Sequence, residues 1–301
     1  MPWLTRGLRD GIVTSRYPRR PDDYGTGFHA TVSVLAQTTT RRDASTTGPP
    51  RPDTKMSELE AVAASCPTGA ISLESEREGA PGSDEVRLDR GRCIACGRCV
   101  EARPDRFAFD PTTKAAELHR DLLVVPQGTD DEEGLARLRA ELTRRVRALR
   151  RSVHIRHVDC GSDGSEEWEI AALTNPIYDV QRLGIYFTAS PRHADLLLVT
   201  GIGATGMLGP LRHTYDVMPE PKVVVALGSD AASGGLYAGN YATRGGIGGE
   251  IGVDVYVPGS PPSPFAILYG ILLGTGRLER ATSTGPTGRT GRIAHLAGLR
   301  R

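Results

Sequence analysis

The chain has 301 residues, with 37 lysines and arginines against 36 aspartates and glutamates, for a net charge of +1. That length allows two domains, and the balanced charge carries no bulk nucleic-acid signature. Five cysteines are too few for a disulfide framework. The longest apolar run, residues 265–273, is too short to cross a bilayer. The expectation is a soluble, cytoplasmic protein whose membrane contact is peripheral.

At the N-terminus, Trp3, Leu4, Leu8, Ile12 and Val13 are interleaved with Arg6, Arg9 and Arg16. This spacing suits a short amphipathic helix with a basic face, and no apolar core of a signal peptide accompanies it. Such a helix can lie on a membrane surface or a partner, or pack on its own domain; the spacing leaves both open. Residues 37–55 contain no large apolar residue and read as a flexible loop.

Leu59, Val62 and Ala63 share one helix face that leads into Cys66-Pro67. Ile71 and Leu73 alternate as a strand, 74–84 is a polar turn, and Val86 and Leu88 return. Then comes Cys93-Ile94-Ala95-Cys96-Gly97-Arg98-Cys99, followed by Phe107 and Phe109. C-x2-C-x2-C sets three thiolates on one tight turn, as a 4Fe-4S cluster needs, and the bacterial ferredoxin run continues three residues later with Cys-Pro. Here that position reads Arg103-Pro104. In a two-cluster ferredoxin the fourth cysteine of each run serves the other cluster, so the missing ligand belongs upstream, at Cys66. The ligand set is Cys66, Cys93, Cys96 and Cys99, holding one 4Fe-4S cluster in half a ferredoxin. The other run would need cysteines at 56, 59 and 62. Met56, Leu59 and Val62 stand there; they cannot ligate iron, and they fill the volume a second cluster vacates.

Residues 130–151 are acidic at the start and arginine-rich at the end, with Leu135, Leu138, Leu142, Val146 and Leu149 at helical spacing. They read as a helix joining two domains, its charges complementing the helix dipole. From residue 153 short apolar strands (153–158, 184–188, 195–201, 222–228, 253–259) alternate with helical segments (167–173, 207–218, 264–273). That alternation predicts an α/β domain with a parallel sheet covered on both faces. Ligands in such sheets bind beyond the C-terminal ends of the strands, which points to loops 159–166, 201–206, 228–235 and 258–264. One of them, Gly201-Ile202-Gly203-Ala204-Thr205-Gly206, spells the dinucleotide fingerprint. Its strand is not the first of its sheet, and only Asp230 stands near where a ribose-binding acid belongs. No histidine pair among His154, His157, His193 and His213 has metal-ligand spacing. Residues 281–301, rich in Thr, Gly and Arg, read as a disordered basic tail. The resulting map is a small α+β ferredoxin-like domain at 1–125, a linker helix at 126–152, the α/β domain at 153–280 and the tail.

The run Arg182-Leu-Gly-Ile-Tyr-Phe-Thr-Ala-Ser-Pro-Arg-His-Ala-Asp-Leu-Leu-Leu-Val-Thr-Gly201 resembles the small electron-transfer subunit of group 4, membrane-bound NiFe hydrogenases. That subunit is homologous to the 20 kDa (B-type) subunit of respiratory complex I. The likeness continues through Tyr215–Lys222, Gly228–Gly235 and Val253–Pro262. Gly11–Pro21 and the cluster motifs are similar to the ferredoxin-type subunit of the same complexes, so the chain looks like a fusion of the two.

The resemblance implies a flavodoxin-like second domain with a proximal 4Fe-4S cluster, set against a partner like the NiFe-hydrogenase large subunit or the complex I 49 kDa subunit. Antiporter-like membrane subunits are implied indirectly. The positions matching the family's cluster cysteines, however, are Asp163, Glu166, Asp230 and Ser260. Cys160 is nearby but out of register. Four hard ligands do not hold a cubane, so the proximal cluster is expected to be absent. Two readings of the replaced site stay open: ion pairs to arginines of the same chain or a partner, or a hard divalent cation on Asp163, Glu166 and Asp230 near Ser260.

The function expected is an iron-sulfur electron-transfer-type subunit of a membrane-associated, complex I-like or group 4 hydrogenase-related oxidoreductase complex, on the cytoplasmic face of the membrane. No residues of the chain form a catalytic constellation. The alternatives are a redox-silent assembly subunit and, third, a nucleotide enzyme using Gly201–Gly206.

Overall fold

The computed structural model describes residues 2–18, 31–35, 53–74, 85–126, 132–146 and 152–278. Most of the loop expected at 37–55 and all of the tail at 281–301 lie outside them, although 53–55 already belong to a helix. Helix α1 (Pro2–Asp10) leaves Trp3 and Leu8 70–78% exposed, so its apolar side chains do not pack on the chain's own body. The residues just after it do dock. Ser15 N donates to Ile177 O (2.8 Å), Arg182 donates to Tyr17 O (2.6 Å), and the Tyr17 and Phe265 rings lie 5.1 Å apart.

The first unit is antiparallel. β1 (Thr31–Val34) reaches β4 (Phe107–Asp110) across the cluster motif, while β2 (Ile71–Glu74), β3 (Glu85–Asp89) and β5 (Val124–Val125) form a three-stranded sheet. Helices α2 (Asp53–Ala64) and α3 (Arg98–Ala102) close it. Val32, Leu59, Val62, Ile71, Val86, Leu88 and Phe107 make the core. Leu59 and Val62 therefore occupy the interior as their apolar character demands. Helix α4 (Glu132–Arg145) follows, tied by Arg145 to Asp254.

The second unit is a five-stranded parallel sheet of β6 (Val153–Asp159), β7 (Ile185–Phe187), β8 (Leu196–Thr200), β9 (Val223–Leu227) and β10 (Val255–Val257). Its order is β10-β9-β8-β6-β7. This is the flavodoxin-like winding, in which chain order reverses beside the first strand. β8 and β9 are buried at every position, as the uninterrupted runs LLLVT and VVVAL require of a sheet covered on both faces. The helices are α5 (Ser165–Ala172), α6 (Leu208–Val217), α7 (Gly228–Ser233) and α8 (Pro264–Gly274). α8 is apolar all round and wholly buried, capped by the Ser263 hydroxyl, which accepts from Ala266 N. Gly274 lets it lie close on the sheet, since a Cβ there would sit 3.1–3.2 Å from Val223 and Val255.

The two units are joined by backbone and by charge. Glu117 and Tyr256 exchange backbone hydrogen bonds (2.9 and 2.8 Å), adding an antiparallel bridge outside β10. Arg120 holds both oxygens of Asp89 (2.8 and 2.7 Å) and donates through Nε to Ala232 O on α7 (3.0 Å).

Candidate functional site: a thiol hollow and an acidic pocket

The cysteine motif lies between β3 and α3, and its turn is built from backbone conformations that favour small residues. Ala95 and Gly97 both have positive φ (51° and 80°), and a Cβ on Gly97 would meet the Phe109 ring at 3.0 Å. Cys66 comes from the end of α2. Together Cys66, Cys93, Cys96 and Cys99 line one hollow, floored by Val32, Val62, Ile71 and Leu88. Backbone amides already point at sulfur: Ala70 N to Cys66 Sγ (3.3 Å) and Ala95 N to Cys93 Sγ (3.4 Å). Burial pushes the Cys93 thiol up to about 11, with the other three cysteines adding to the rise. Four thiolates in one apolar hollow need a positive centre to offset them.

Among the described residues no three ligand side chains come together tightly enough for a single metal ion. A tetrahedral ion with bonds of about 2.3 Å needs sulfurs within about 4 Å of one another. A cubane takes each thiolate on a different iron, so the four-thiol donor set and the apolar-floored hollow fit a 4Fe-4S cluster. Cys160 is not part of this set. It is fully buried among Leu197, Val199 and Ala226, its thiol pushed up to about 12 chiefly by burial.

Arg103, at the position of the run's fourth cysteine, reaches Glu58 on α2 (3.2 Å) and grips Asp105 with two nitrogens (2.8 Å each). That hydrogen-bonded pairing holds the Asp105 carboxyl down at about 2.

Asp163, Glu166 and Asp230 lie at the C-terminal end of the parallel sheet, Asp163 and Glu166 after β6 and Asp230 after β9. Asp163 Oδ1 accepts from Ser165 N (2.9 Å) and Ser165 Oγ (2.6 Å), which keeps its carboxyl below the usual range. Glu166 is 1% exposed; its Oε2 accepts from Ser165 Oγ (3.1 Å) and its Oε1 has no partner. A Cβ on Gly228 would fall 2.5 Å from that oxygen, so the glycine makes room for the carboxylate. Burial, followed by the charges of Asp230 and Asp163 and opposed by hydrogen bonds, pushes Glu166 up to about 7. Asp230 is raised by burial and then by Asp163 and Glu167.

Ser260 is exposed on the turn after β10, next to Gly259, whose carbonyl accepts from Ser229 N (2.7 Å) and Ser229 Oγ (3.0 Å). No hydrogen bond joins Ser260 to the acids among the described residues. Sequence reasoning read 228–235 as a loop, whereas α7 occupies 228–233. Its short Gly-Ser-Asp-Ala-Ala-Ser run has no apolar period to betray it.

Beside the pocket, Glu167 is fully engaged by Thr200 Oγ1 (2.5 Å), Ser162 Oγ (2.6 Å) and His157 Nε2 (3.3 Å). Burial lowers the His157 pKa. Gly201 and Gly203 serve loop packing, whereas a Cβ on Gly206 would meet open space. A Cβ on Gly201 would lie 2.6 Å from Ser162 N, and one on Gly203 would overlap the carbonyl of Gly246.

Residues 163–273 match the family described as the 20 kDa subunit of NADH ubiquinone oxidoreductase, and residues 86–147 match a 4Fe-4S single cluster domain. The chain is 37% identical over 161 residues to formate hydrogenlyase subunit 7 of Escherichia coli, covering 54% of this chain and 62% of that protein. It is also 37% identical over 144 residues to the probable membrane-bound hydrogenase subunit mbhJ of Pyrococcus furiosus, covering 48% of this chain and 86% of that protein. A chain of the membrane-bound sulfane sulfur reductase, an archaeal respiratory membrane complex, is 33% identical, covering 44% of this chain and 75% of that one, with a TM-score of 0.39. The protein belongs to the complex I 20 kDa-subunit family, in its hydrogenase-related branch, and carries an iron-sulfur domain in the same chain.

Proposed function

We propose that this chain is an electron-transfer-type subunit of a membrane-associated, complex I-like or hydrogenase-related oxidoreductase complex, with one 4Fe-4S cluster on Cys66, Cys93, Cys96 and Cys99. The observation that carries this reading is the convergence of four thiols, from two segments 27 or more residues apart in sequence, on one apolar-floored hollow. The bound cluster supplies one-electron redox chemistry. The chain's part is to hold it, keep water from its inner face with Val32, Ile71 and Leu88, and direct amides at its ligand sulfurs, a lever on potential.

The second unit docks to a partner resembling a hydrogenase large subunit, antiporter-like membrane subunits being reached through it. The exposed apolar face of α1 supports a peripheral place at the membrane, and the cytoplasmic face is what the resemblance implies.

A second reading, a redox-silent assembly subunit, is favoured by one observation: acids and a serine occupy the positions that the family's cysteine motif reserves for a proximal cluster. Reduction of the purified complex followed by EPR decides between them. A cubane signal that grows in and reoxidises on addition of the complex's electron acceptor supports electron transfer. A cluster that no acceptor reoxidises leaves the assembly role.

A further inference from the structure

Several acids among the described residues are paired within the chain. Asp89 is held by Arg120, Asp110 by Arg90, Asp254 by Arg145, and Glu250 by Arg212 and Arg244. Glu167 is satisfied by Thr200, Ser162 and His157. Asp163, Glu166 and Asp230 differ from these: no lysine or arginine forms an ion pair with any of them among the described residues, yet each is close enough to feel another's charge. The floor of the group is the 99% buried Glu166 with its unpartnered Oε1. Asp163 is exposed and Asp230 half-buried, so the group is open on one side.

We propose that this acidic pocket is a socket for a cationic side chain, an arginine or lysine, of the large-subunit-like partner. The socket occupies the position where the family's cysteine motif would hold a cluster. The inference rests on the docking reading given above. Charge complementarity decides the occupant. Buried carboxylates without a counter-charge are costly, and among the described residues no lysine or arginine supplies one here. The three acids do not close up as a metal-ion site. A guanidinium, with five donors in a planar fork, spans carboxylates held apart on α5 and α7.

The surroundings suit an interface. Trp168, two residues beyond Glu166, is 79% exposed, and Leu236, Tyr237 and Tyr241 follow α7 with exposures of 55–96%. Aromatic residues of this kind are the usual anchors of protein interfaces. The groups facing Glu166 are Ser165, Asp163 and Asp230, with Glu167 and His157 beyond; none is a fixed cation. A cation can therefore bind Glu166 only as its proton leaves, and docking tightens as pH rises through the neutral range.

The test is to co-express the full chain with a hydrogenase-large-subunit-like partner and measure the dissociation constant between pH 6 and 8. Asp163→Asn, Asp230→Asn and Glu166→Gln variants are run in parallel, with melting temperatures as a check on folding. Asp230→Asn is expected to weaken binding at least tenfold, and wild-type affinity to increase with pH, a slope that Glu166→Gln removes. Dissociation constants within twofold of wild type for all three variants, with the wild-type complex formed, overturn the socket. So does stoichiometric Ca, Mg or Mn in the wild-type complex that Asp230→Asn loses. A wild-type chain that binds no large subunit at all overturns the docking reading itself, and the socket with it.

Discussion

Arg120 grips both carboxylate oxygens of Asp89 at 2.8 and 2.7 Å while its Nε holds the carbonyl of Ala232. Asp89 O in turn accepts from Cys93 N (3.0 Å), and Ala232 lies on α7 two residues beyond Asp230. One guanidinium thus braces the cluster turn against the helix that carries the acidic pocket.

Arg120→Ala should cost on the order of 2 kcal/mol of stability, because it strips a partly buried bidentate pair and leaves Asp89 only Gly91 N and the longer Arg92 contact (3.6 Å). Arg120→Lys should recover less than half of that, since an ammonium cannot reproduce the fork. Denaturant unfolding of the iron-loaded chain measures both.

Replacing one thiol at a time distinguishes the fourth ligand. Cys66→Ala is expected to leave fewer than four irons per chain. Cys160→Ala, which empties a little core volume remote from the hollow, should keep all the iron at a stability cost of about 1 kcal/mol. Iron assay with thermal melting separates the two outcomes.

The fold was legible where local pattern and burial agree. The unbroken apolar runs of β8 and β9 and the all-apolar α8 announce a sheet covered on both faces, and each strand lies within a residue or two of its expected span. The pairing of β1 with β4 was not readable, because it joins residues more than 70 apart. Nor was the Glu117–Tyr256 bridge, which is a matter of tertiary register. The cysteine set was proposed from the C-x2-C-x2-C spacing and the ferredoxin Cys-Pro pattern, and the four thiols do line one hollow. The Arg103–Glu58 pair could not, since a cation in a lost ligand position reveals its partner only in three dimensions.

Glu166 makes stability depend on pH in a direction opposite to an ordinary salt-bridged acid. Its folded pKa, about 7, lies above that of an unfolded glutamate, so between about pH 4.5 and 7 the folded state binds more protons. The unpartnered chain should lose on the order of 3 kcal/mol over that window as pH rises. Glu166→Gln should flatten the profile and be the more stable form at pH 8. Asp105 acts in the other sense. Its pKa, held near 2 by Arg103, makes its contribution full above about pH 4 and lost as pH falls toward 2.

Gly201→Ala tests the glycine-rich loop. At φ +85°, with its Cβ forced to 2.6 Å from Ser162 N, the variant should be destabilised by about 1–3 kcal/mol. Titration calorimetry with NADH should give no heat of binding with either form. Saturable binding by the wild type, lost in the variant, would restore the nucleotide reading.

The central claim is one cubane on four thiolates, with an acid pocket in place of a proximal cluster. Iron counting combined with EPR of the reduced, anaerobically purified chain tests it most directly. About four irons and a single 4Fe-4S signal, abolished by Cys96→Ala, is the predicted result. About eight irons, or a second cubane signal that survives Cys96→Ala, would contradict it.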